Sequence, residues 1–188
     1  GKHIVTYPLR GGTLWNFVAV EERKNWVAEG WTEPGDVQEL RAAFRGWSAP
    51  VTTLLDAVDE TFLWGLFDHP ALPSWVSGTA ALVGDACHPM LPFLAQGATM
   101  GLEDAWVMAD ALDNIPDAEV ALKTYEARRK PRATRVQKAA AQNATAYHLR
   151  NPLLRGISHA GLRGVSGVAP ALLAGRFDWL YKADVTKG

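Results

Sequence analysis

The chain opens with two short runs rich in β-branched and aromatic residues, His3–Leu9 and Leu14–Val20, separated by Arg10-Gly11-Gly12-Thr13. This pattern predicts a β-hairpin, with the glycines supplying the positive φ of its turn. Trp26 to Glu33 reads as a loop that ends in Glu33-Pro34-Gly35. Apolar positions then recur at helical spacing: Val37, Leu40, Ala43 and Phe44 follow Asp36, a natural N-cap, and run up to Gly46. Pro50 opens a second short helix through Val58, with Val51, Leu54, Leu55 and Val58 on one face. Thr61–Phe67 reads as a third strand returning to the hairpin sheet. Pro70 and Pro73 punctuate the crossing to Thr79–Gly84, a short, continuously apolar run bounded by glycines. That is the pattern of a fully buried parallel strand.

Helical periodicity resumes over 97–113, and Pro116-Asp117 then caps a long helical stretch to about His148. Pro131 is expected to interrupt and kink it. From Asn151 the tail mixes Pro, Gly and short apolar runs, closing on an aromatic patch at Phe177, Trp179 and Tyr181. No internal repeat or low-complexity tract is present. With 48% hydrophobic residues and eight Trp, the chain has ample material for a core, which excludes a disordered polypeptide. A net charge of −1 makes no electrostatic case for nucleic acid or an acidic membrane as partner. No stretch approaches the roughly 20 apolar residues of a membrane span, and no signal peptide opens the chain. The single cysteine, Cys87, rules out an internal disulfide and fits a reducing, cytoplasmic setting. Gly1 already stands inside a strand-like pattern, as expected of a cut chain.

The most informative segment is Ala81–Ala105. It reads as a strand ending at Gly84-Asp85, a tight Pro/Gly-rich loop, and a helix opening near Gln96-Gly97. Gly84, Asp85, Ala86, His88, Pro89, Pro92, Gln96, Gly97, Glu103, Asp104 and Ala105 fall in one frame, Gly-Asp-Ala-x-His-Pro-x-x-Pro-x-x-x-Gln-Gly followed by Glu-Asp-Ala. This frame resembles the second flavin fingerprint of the single-component FAD-dependent aromatic-ring hydroxylases, the salicylate hydroxylase-like group. Tyr125–Arg132 is similar to the family's Tyr-Glu-x-x-Arg-Arg-x-Pro-Arg stretch, and Asn16-Phe17-Val18 matches its Asn-Phe-Val. The likeness runs to the terminal Asp178–Tyr181. The Gly-x-Gly-x-x-Gly unit that holds the ADP half of FAD in such enzymes is missing. Gly161-Leu-Arg-Gly164-Val-Ser-Gly167 has the wrong spacing and follows no strand. The chain therefore looks like the C-terminal portion of a hydroxylase.

That resemblance implies an α/β fold, α+β within this stretch. Part of an antiparallel substrate-domain sheet would occupy 1–70. The C-terminal part of a Rossmann-like FAD-binding domain, with its last strand and helices, would occupy 71–114, and a C-terminal helical region 115–188. The strand at 79–84 would find its neighbours in the missing N-terminal FAD-binding half. Without that half, the chain is expected to self-associate.

The residues themselves admit specific chemistry. Asp85, at a strand end before a tight turn, is placed to accept hydrogen bonds from a polyol; its bland reading is an Asx-turn or capping residue. The resemblance assigns the matching Asp to the ribityl chain of FAD. Prolines stiffen the loop Pro89–Gly97, and Gly97 lets the backbone approach a planar ring. The helix that starts there aims free N–H groups and a positive dipole end at the N1–C2=O edge of a reduced flavin. By resemblance Gly84, Asp85, Pro92, Gln96, Gly97 and Ala98 form the cofactor site, with Pro92 near the C4a edge. Tyr7, in a strand followed by Pro8, is a substrate-binding candidate by the same likeness; otherwise it is a packed edge residue. His88, like Tyr7, is a catalytic candidate, and otherwise an orienting hydrogen-bonder. Glu103-Asp104 is explained by the helix dipole and a neighbouring arginine. Cys87 reads as a small buried hydrophobe. Arg128, Arg129, Lys130, Arg132, Arg135 and Lys138 read as a solvated helix face rather than a site for NADPH phosphate.

The implied activity is FAD- and NAD(P)H-dependent hydroxylation of a small phenolic acid-like substrate with O2, through a flavin C4a-hydroperoxide. Hydroxylation of a heterocycle such as urate is a rival within the class. A non-enzymatic product or interaction module that binds no FAD is a rival outside it, and the isolated chain is expected to be inactive.

Overall fold

The computed structural model describes residues 1–23, 30, 32–149, 151–169, 171 and 175–187. Positions 26–29 and 31 of the expected loop lie outside the described residues. The chain divides into two compact units, Gly1–Phe67 and Asp68–Gly188.

In the first unit, β1 (Lys2–Leu9) and β2 (Leu14–Glu21) form the expected antiparallel hairpin, in register from Lys2↔Glu21 to Leu9↔Leu14. Its turn bends through Arg10, Gly11 and Gly12, all at positive φ (48°, 66° and 91°). Asp36 caps α1 (Val37–Ala43) by accepting from the Gln38 and Glu39 amides. Helix α2 (Ala49–Asp56) follows, with Pro50 in its first turn. Arg41 reaches from α1 to the carbonyls of Leu55, Asp56 and Val58, satisfying the C-terminal end of α2. Phe44, Leu55 and Val58 are buried.

The expected third strand does not join the hairpin. Only Thr61–Leu63 is extended (β4), and it pairs antiparallel with β3 (Glu33–Gly35). Gly35 explains the choice of partner. A Cβ there would lie 2.7 Å from the Thr61 Cγ2, so the glycine lets this segment come within pairing distance. Beyond β4, Trp64, Leu66 and Phe67 are exposed and outside any strand.

The second unit is built on two helices, α3 (Gly97–Asn114) and α4 (Ala118–Tyr147). Asp117 caps α4 by accepting from the Val120 amide. Along α4 the buried residues recur at intervals of three and four: Ala121, Tyr125, Arg129, Ala133, Val136 and Ala140. The alanines in that stripe let α3 approach, and Trp75, Cys87, Val107 and Ala111 complete one apolar cluster. Leu94, Met100, Val136, Ala140 and Leu180 form another. Pro131 does not interrupt α4, which runs 30 residues through it. The stripe buried on both sides of the proline holds the helix despite the missing N–H.

One further expectation is corrected and another is made specific. The run 79–84 is not a buried parallel strand here. Only Ala80–Ala81 (β6) is paired, antiparallel to Val76–Ser77 (β5), while Leu82 and Val83 are 40% and 37% exposed. A parallel partner is absent among the described residues, so the apolar run closes a tight hairpin at Gly78 instead. The tail holds a 17-residue helix, α5 (Pro152–Val168), capped by Asn151. Four glycines inside it disguised the pattern, because each weakens a helix by about 1 kcal/mol relative to alanine. A short helix, α6 (Asp178–Tyr181), carries the terminal aromatic patch. No described helix is long and apolar enough to cross a membrane.

Candidate functional site

The motif folds into a tight turn, a loop and the start of α3, all within the second unit. Gly84 takes φ +61°, a conformation L side chains resist. Its carbonyl accepts from the amides of Cys87 and His88, both at 3.0 Å, and its own amide donates to Asp104 Oδ2 at 3.0 Å. Gly84 and Gly101 also meet backbone to backbone: a Cβ on either would sit 3.9 Å from the other's Cα. The next residue, Asp85, is exposed, and its Oδ1 lies 3.8 Å from where a Gly97 Cβ would stand. A carboxylate thus flanks the first residue of α3.

Between them runs the loop. Pro92–Leu94 makes a single 3-10 turn, Ala95 takes φ +53°, and Gln96 is the N-cap of α3 with its side chain buried. The first turn of α3 contains no acidic residue, and its amides precede the first i→i−4 bond, made by Met100 to Gln96. Pro92 and Ala98 are exposed; Gly97 is half-buried. Helix α4 supports the loop through two carboxamides: Gln137 donates to the Pro89 carbonyl at 2.8 Å and Asn143 to the Phe93 carbonyl at 3.3 Å. Neither residue carried a signal in the sequence, since each looks like ordinary helix surface until α4 is laid beside the loop.

Behind the turn lies a buried polar cluster. His88 Nε2 and Asp104 Oδ2 are 2.5 Å apart, and Arg129 Nε donates to Asp104 Oδ1 at 2.8 Å. Arg129 also donates to Glu103 at 2.7 Å, and Arg132 grips Glu103 with two bonds of 2.8 Å. His88 and Asp104 are wholly buried, and Arg129 is 1% exposed. Burial pushes the Asp104 carboxyl upward, but the bonds from His88, Arg129 and the Gly84 amide outweigh it and hold the group below the ordinary carboxylate range. An ionised Asp104 is an acceptor only, so the proton shared with His88 sits on Nε2. Cys87 packs beside the cluster, and burial, then the Asp104 charge, push its thiol up to about 11. Cys87, His88 and Asp104 lie close enough to suggest a metal trio. With both Asp104 oxygens taken by His88, Gly84 and Arg129, the trio is a hydrogen-bond cluster instead.

Residues 5–140, from the first hairpin to well into α4, match the family described as FAD binding domain. The chain belongs to that family. It is 37% identical to a salicylate hydroxylase of Pseudomonas putida over 97% of the chain and 43% of that protein. It is 39% identical to the 3-amino-4-hydroxybenzoate 2-monooxygenase PtnB3 of Streptomyces platensis over 78% of the chain and 37% of that protein. A solved salicylate hydroxylase substrate complex superimposes with a TM-score of 0.78 at 34% identity, covering 99% of this chain and 46% of that one. The chain spans less than half the length of these relatives.

The site fits the family's FAD. Exposed Asp85 offers acceptors for hydroxyl groups, and the uncapped start of α3 offers amides for an electron-rich carbonyl edge, with no acidic side chain in that turn to oppose it. Of the sequence candidates, Gly84, Asp85, Pro92, Gln96, Gly97 and Ala98 share this region, although Gln96 is buried rather than open. Tyr7 belongs to the first unit, where it is 45% exposed on the hairpin and its hydroxyl accepts from the Asn16 amide at 2.8 Å. That bond gives Asn16 a role the sequence left unassigned. His88 points into the core and pairs with Asp104, which makes it an orienting residue.

The basic stretch is corrected most. Arg129 sits on the buried stripe of α4 and Arg132 on its rim, where it also binds the Trp179 and Leu180 carbonyls. Arg128 pairs with Asp110, Lys130 with Glu126, and Arg135 stacks 3.9 Å over Trp179. The signal was available: position 129 continues the spacing of Ala121, Tyr125 and Ala133, and the run of charge masked it.

Proposed function

We propose that this chain forms the ribityl and ring side of the FAD site of an aromatic-ring monooxygenase, with NAD(P)H as reductant, O2 as oxidant and a phenolic acid as substrate. The observation that carries the reading is the convergence of exposed Asp85 with the uncapped amides of Gly97, Ala98 and Thr99. Asp85 would hold the ribityl hydroxyls, and the α3 N-terminus would receive the N1–C2=O edge, where negative charge accumulates on reduction. The flavin supplies the oxygen-activating redox chemistry when bound. The protein's part is to bind, orient and exclude water. Prolines 89 and 92 would stiffen the loop that meets the ring, and Gln137 and Asn143 hold that loop through the Pro89 and Phe93 carbonyls. Tyr7, its hydroxyl oriented by Asn16, would donate to a substrate phenolate or carboxylate. The relatives' names support the substrate class, since one acts on salicylate and another on an aminohydroxybenzoate. Turnover, substrate choice and a cytoplasmic setting belong to the proposal, because the chain spans less than half the length of these relatives.

The test is a titration of the purified chain with FAD, followed by the visible spectrum and flavin fluorescence. Saturable, shifted flavin bands that weaken in Asp85→Ala support the site. In the full-length protein Asp85→Ala should raise the FAD Kd at least tenfold with the fold intact. Unchanged FAD affinity there would remove Asp85 from the site.

A further inference from the structure

We propose that Asp104, a residue that touches neither cofactor nor substrate in this reading, is the positioning residue of the flavin site, and that it acts through His88. The inference rests on the proposed FAD site and names what sets its geometry. Asp104 receives three donors from three places: the Gly84 amide at 3.0 Å, His88 Nε2 at 2.5 Å and Arg129 Nε at 2.8 Å. Gly84 begins the turn that carries Asp85, and His88 ends it, so one carboxylate brackets Asp85, Ala86 and Cys87 from both sides. The same turn is closed within itself by the Cys87 and His88 amides on the Gly84 carbonyl. Gly84 also faces Gly101 of α3 across an ordinary packing distance, so the turn lies against the helix that carries Asp104. His88 leads directly into Pro89, where the ring-facing loop starts, so its tether to Asp104 fixes the loop's entry as well.

The arrangement needs a carboxylate. Asparagine has the same shape but one acceptor oxygen and one NH2 group. In the Asp104→Asn variant, either flip of the new amide would aim N–H at a fixed donor: toward Arg129 in one orientation, toward the Gly84 amide in the other, where His88 could answer only by moving its proton to Nδ1. The isosteric change therefore releases the turn or the arginine without creating a cavity. His88 needs only one donor for this role, since its Nδ1 has no partner among the described residues. A glutamine at position 88 can present a comparable N–H; a leucine cannot.

The experiment uses the full-length protein and four variants: Asp104→Asn, His88→Leu, His88→Gln and Leu122→Ala. Leu122 is buried on α4 outside the cluster that holds Cys87, and its truncation reports what lost stability alone does. FAD Kd, the absorption spectrum of the bound flavin and Tm are measured for each. Asp104→Asn and His88→Leu are expected to raise the Kd at least tenfold and to shift the bound-flavin bands. His88→Gln is expected to return both to near wild type, and Leu122→Ala to lower Tm while leaving Kd and bands unchanged. The proposal is overturned if Asp104→Asn binds FAD with wild-type affinity and spectrum, or if Kd follows Tm across all four variants. Should Asp104→Asn fail to fold, the His88 pair decides: equal affinity in the leucine and glutamine variants overturns it. A wild-type protein that binds no FAD removes the proposed function and this inference with it, whereas intact wild-type binding with unaffected variants removes the inference alone.

Discussion

Arg128, Arg129 and Arg132 stand within five positions of one another on α4, carry the same charge, and should differ greatly in what they contribute to stability. Arg129 is 1% exposed and donates to Asp104 at 2.8 Å and Glu103 at 2.7 Å. Arg129→Met keeps most of the apolar stem and removes the guanidinium, leaving Asp104 ionised and buried with only His88 and the Gly84 amide. Breaking a buried ion pair by removing one partner costs about 3–5 kcal/mol, because the remaining charge is stranded. Arg132 is 15% exposed; its loss frees Glu103, which retains Arg129, and the Trp179 and Leu180 carbonyls of α6. The expected cost is about 1–3 kcal/mol. Arg128 and Asp110 are 30% and 41% exposed, and such a pair contributes about 0–1 kcal/mol.

The measurement is urea unfolding of the purified chain at pH 7 by far-ultraviolet circular dichroism and Trp fluorescence, with the slope on denaturant compared across variants. Against a total stability of roughly 5–15 kcal/mol, the loss in Arg129→Met would shift the midpoint severely. The expected order is Arg129 first, Arg132 second and Arg128 last. A double variant, Asp104→Asn with Arg129→Met, should recover part of the loss, since it removes the stranded charge. Equal losses for Arg128→Met and Arg129→Met, or under about 1 kcal/mol for Arg129→Met, would refute the reasoning, because a buried guanidinium bridging two carboxylates cannot behave as a surface pair.

Acid should expose the same cluster. The Asp104 carboxyl is held below its ordinary range, so its stabilising contribution is complete above about pH 4 and is lost as pH falls through the lower folded value. The stability gap between wild type and Asp104→Asn should therefore narrow below about pH 4; a gap independent of pH would contradict it. Cys87, buried and with its thiol pushed up to about 11, should resist iodoacetamide at pH 8 and react only on unfolding. Rapid labelling of the native chain, read by mass spectrometry, would show the opposite. Leu102 and Trp106 stand one turn apart on α3, 73% and 54% exposed, and Leu82 and Val83 are exposed just before the turn at Gly84. The purified chain is accordingly expected to self-associate; a compact monomer in sedimentation would argue against it.

How much of this was legible depended on how local the determinants were. The hairpin, the Asp36 and Asp117 caps and the start of α3 at Gly97 follow from neighbours in sequence, and the structure has them. Thr61–Leu63 has strand character in its own residues, but its partner is set by Gly35, more than 20 residues away and silent as a strand signal. The apolar run before Gly84 has the composition of a buried strand, and composition does not supply the neighbour that would bury it. Helix α5 falls within the helical region expected over 115–188, but its bounds were hidden for a different reason: its glycines lower helix propensity while its Asn151 cap and Pro152 start were there to be read.

The site divides along the same line. Its open face, Asp85 with the Gly97 and Ala98 turn, was readable because groups that meet a cofactor must remain exposed in a fixed local frame. Its frame was readable only in part: an arginine for Glu103-Asp104 and an orienting role for His88 were expected, but the α4 residues that hold the frame lie more than 20 positions beyond α3's Asp104. Glu103 and Asp104 illustrate the limit. Adjacent in sequence, they point about 100° apart on the helix, so one reaches the rim and the other the core. Which of them is buried depends on where α4 lies, and that is knowledge of packing. A carboxylate is suited to the inner position because an apolar side chain could fill the space but could not receive Gly84, His88 and Arg129 together. The turn that presents Asp85 is therefore fixed by an acceptor, and any variant that keeps the volume and loses the acceptor should loosen the turn while preserving the core.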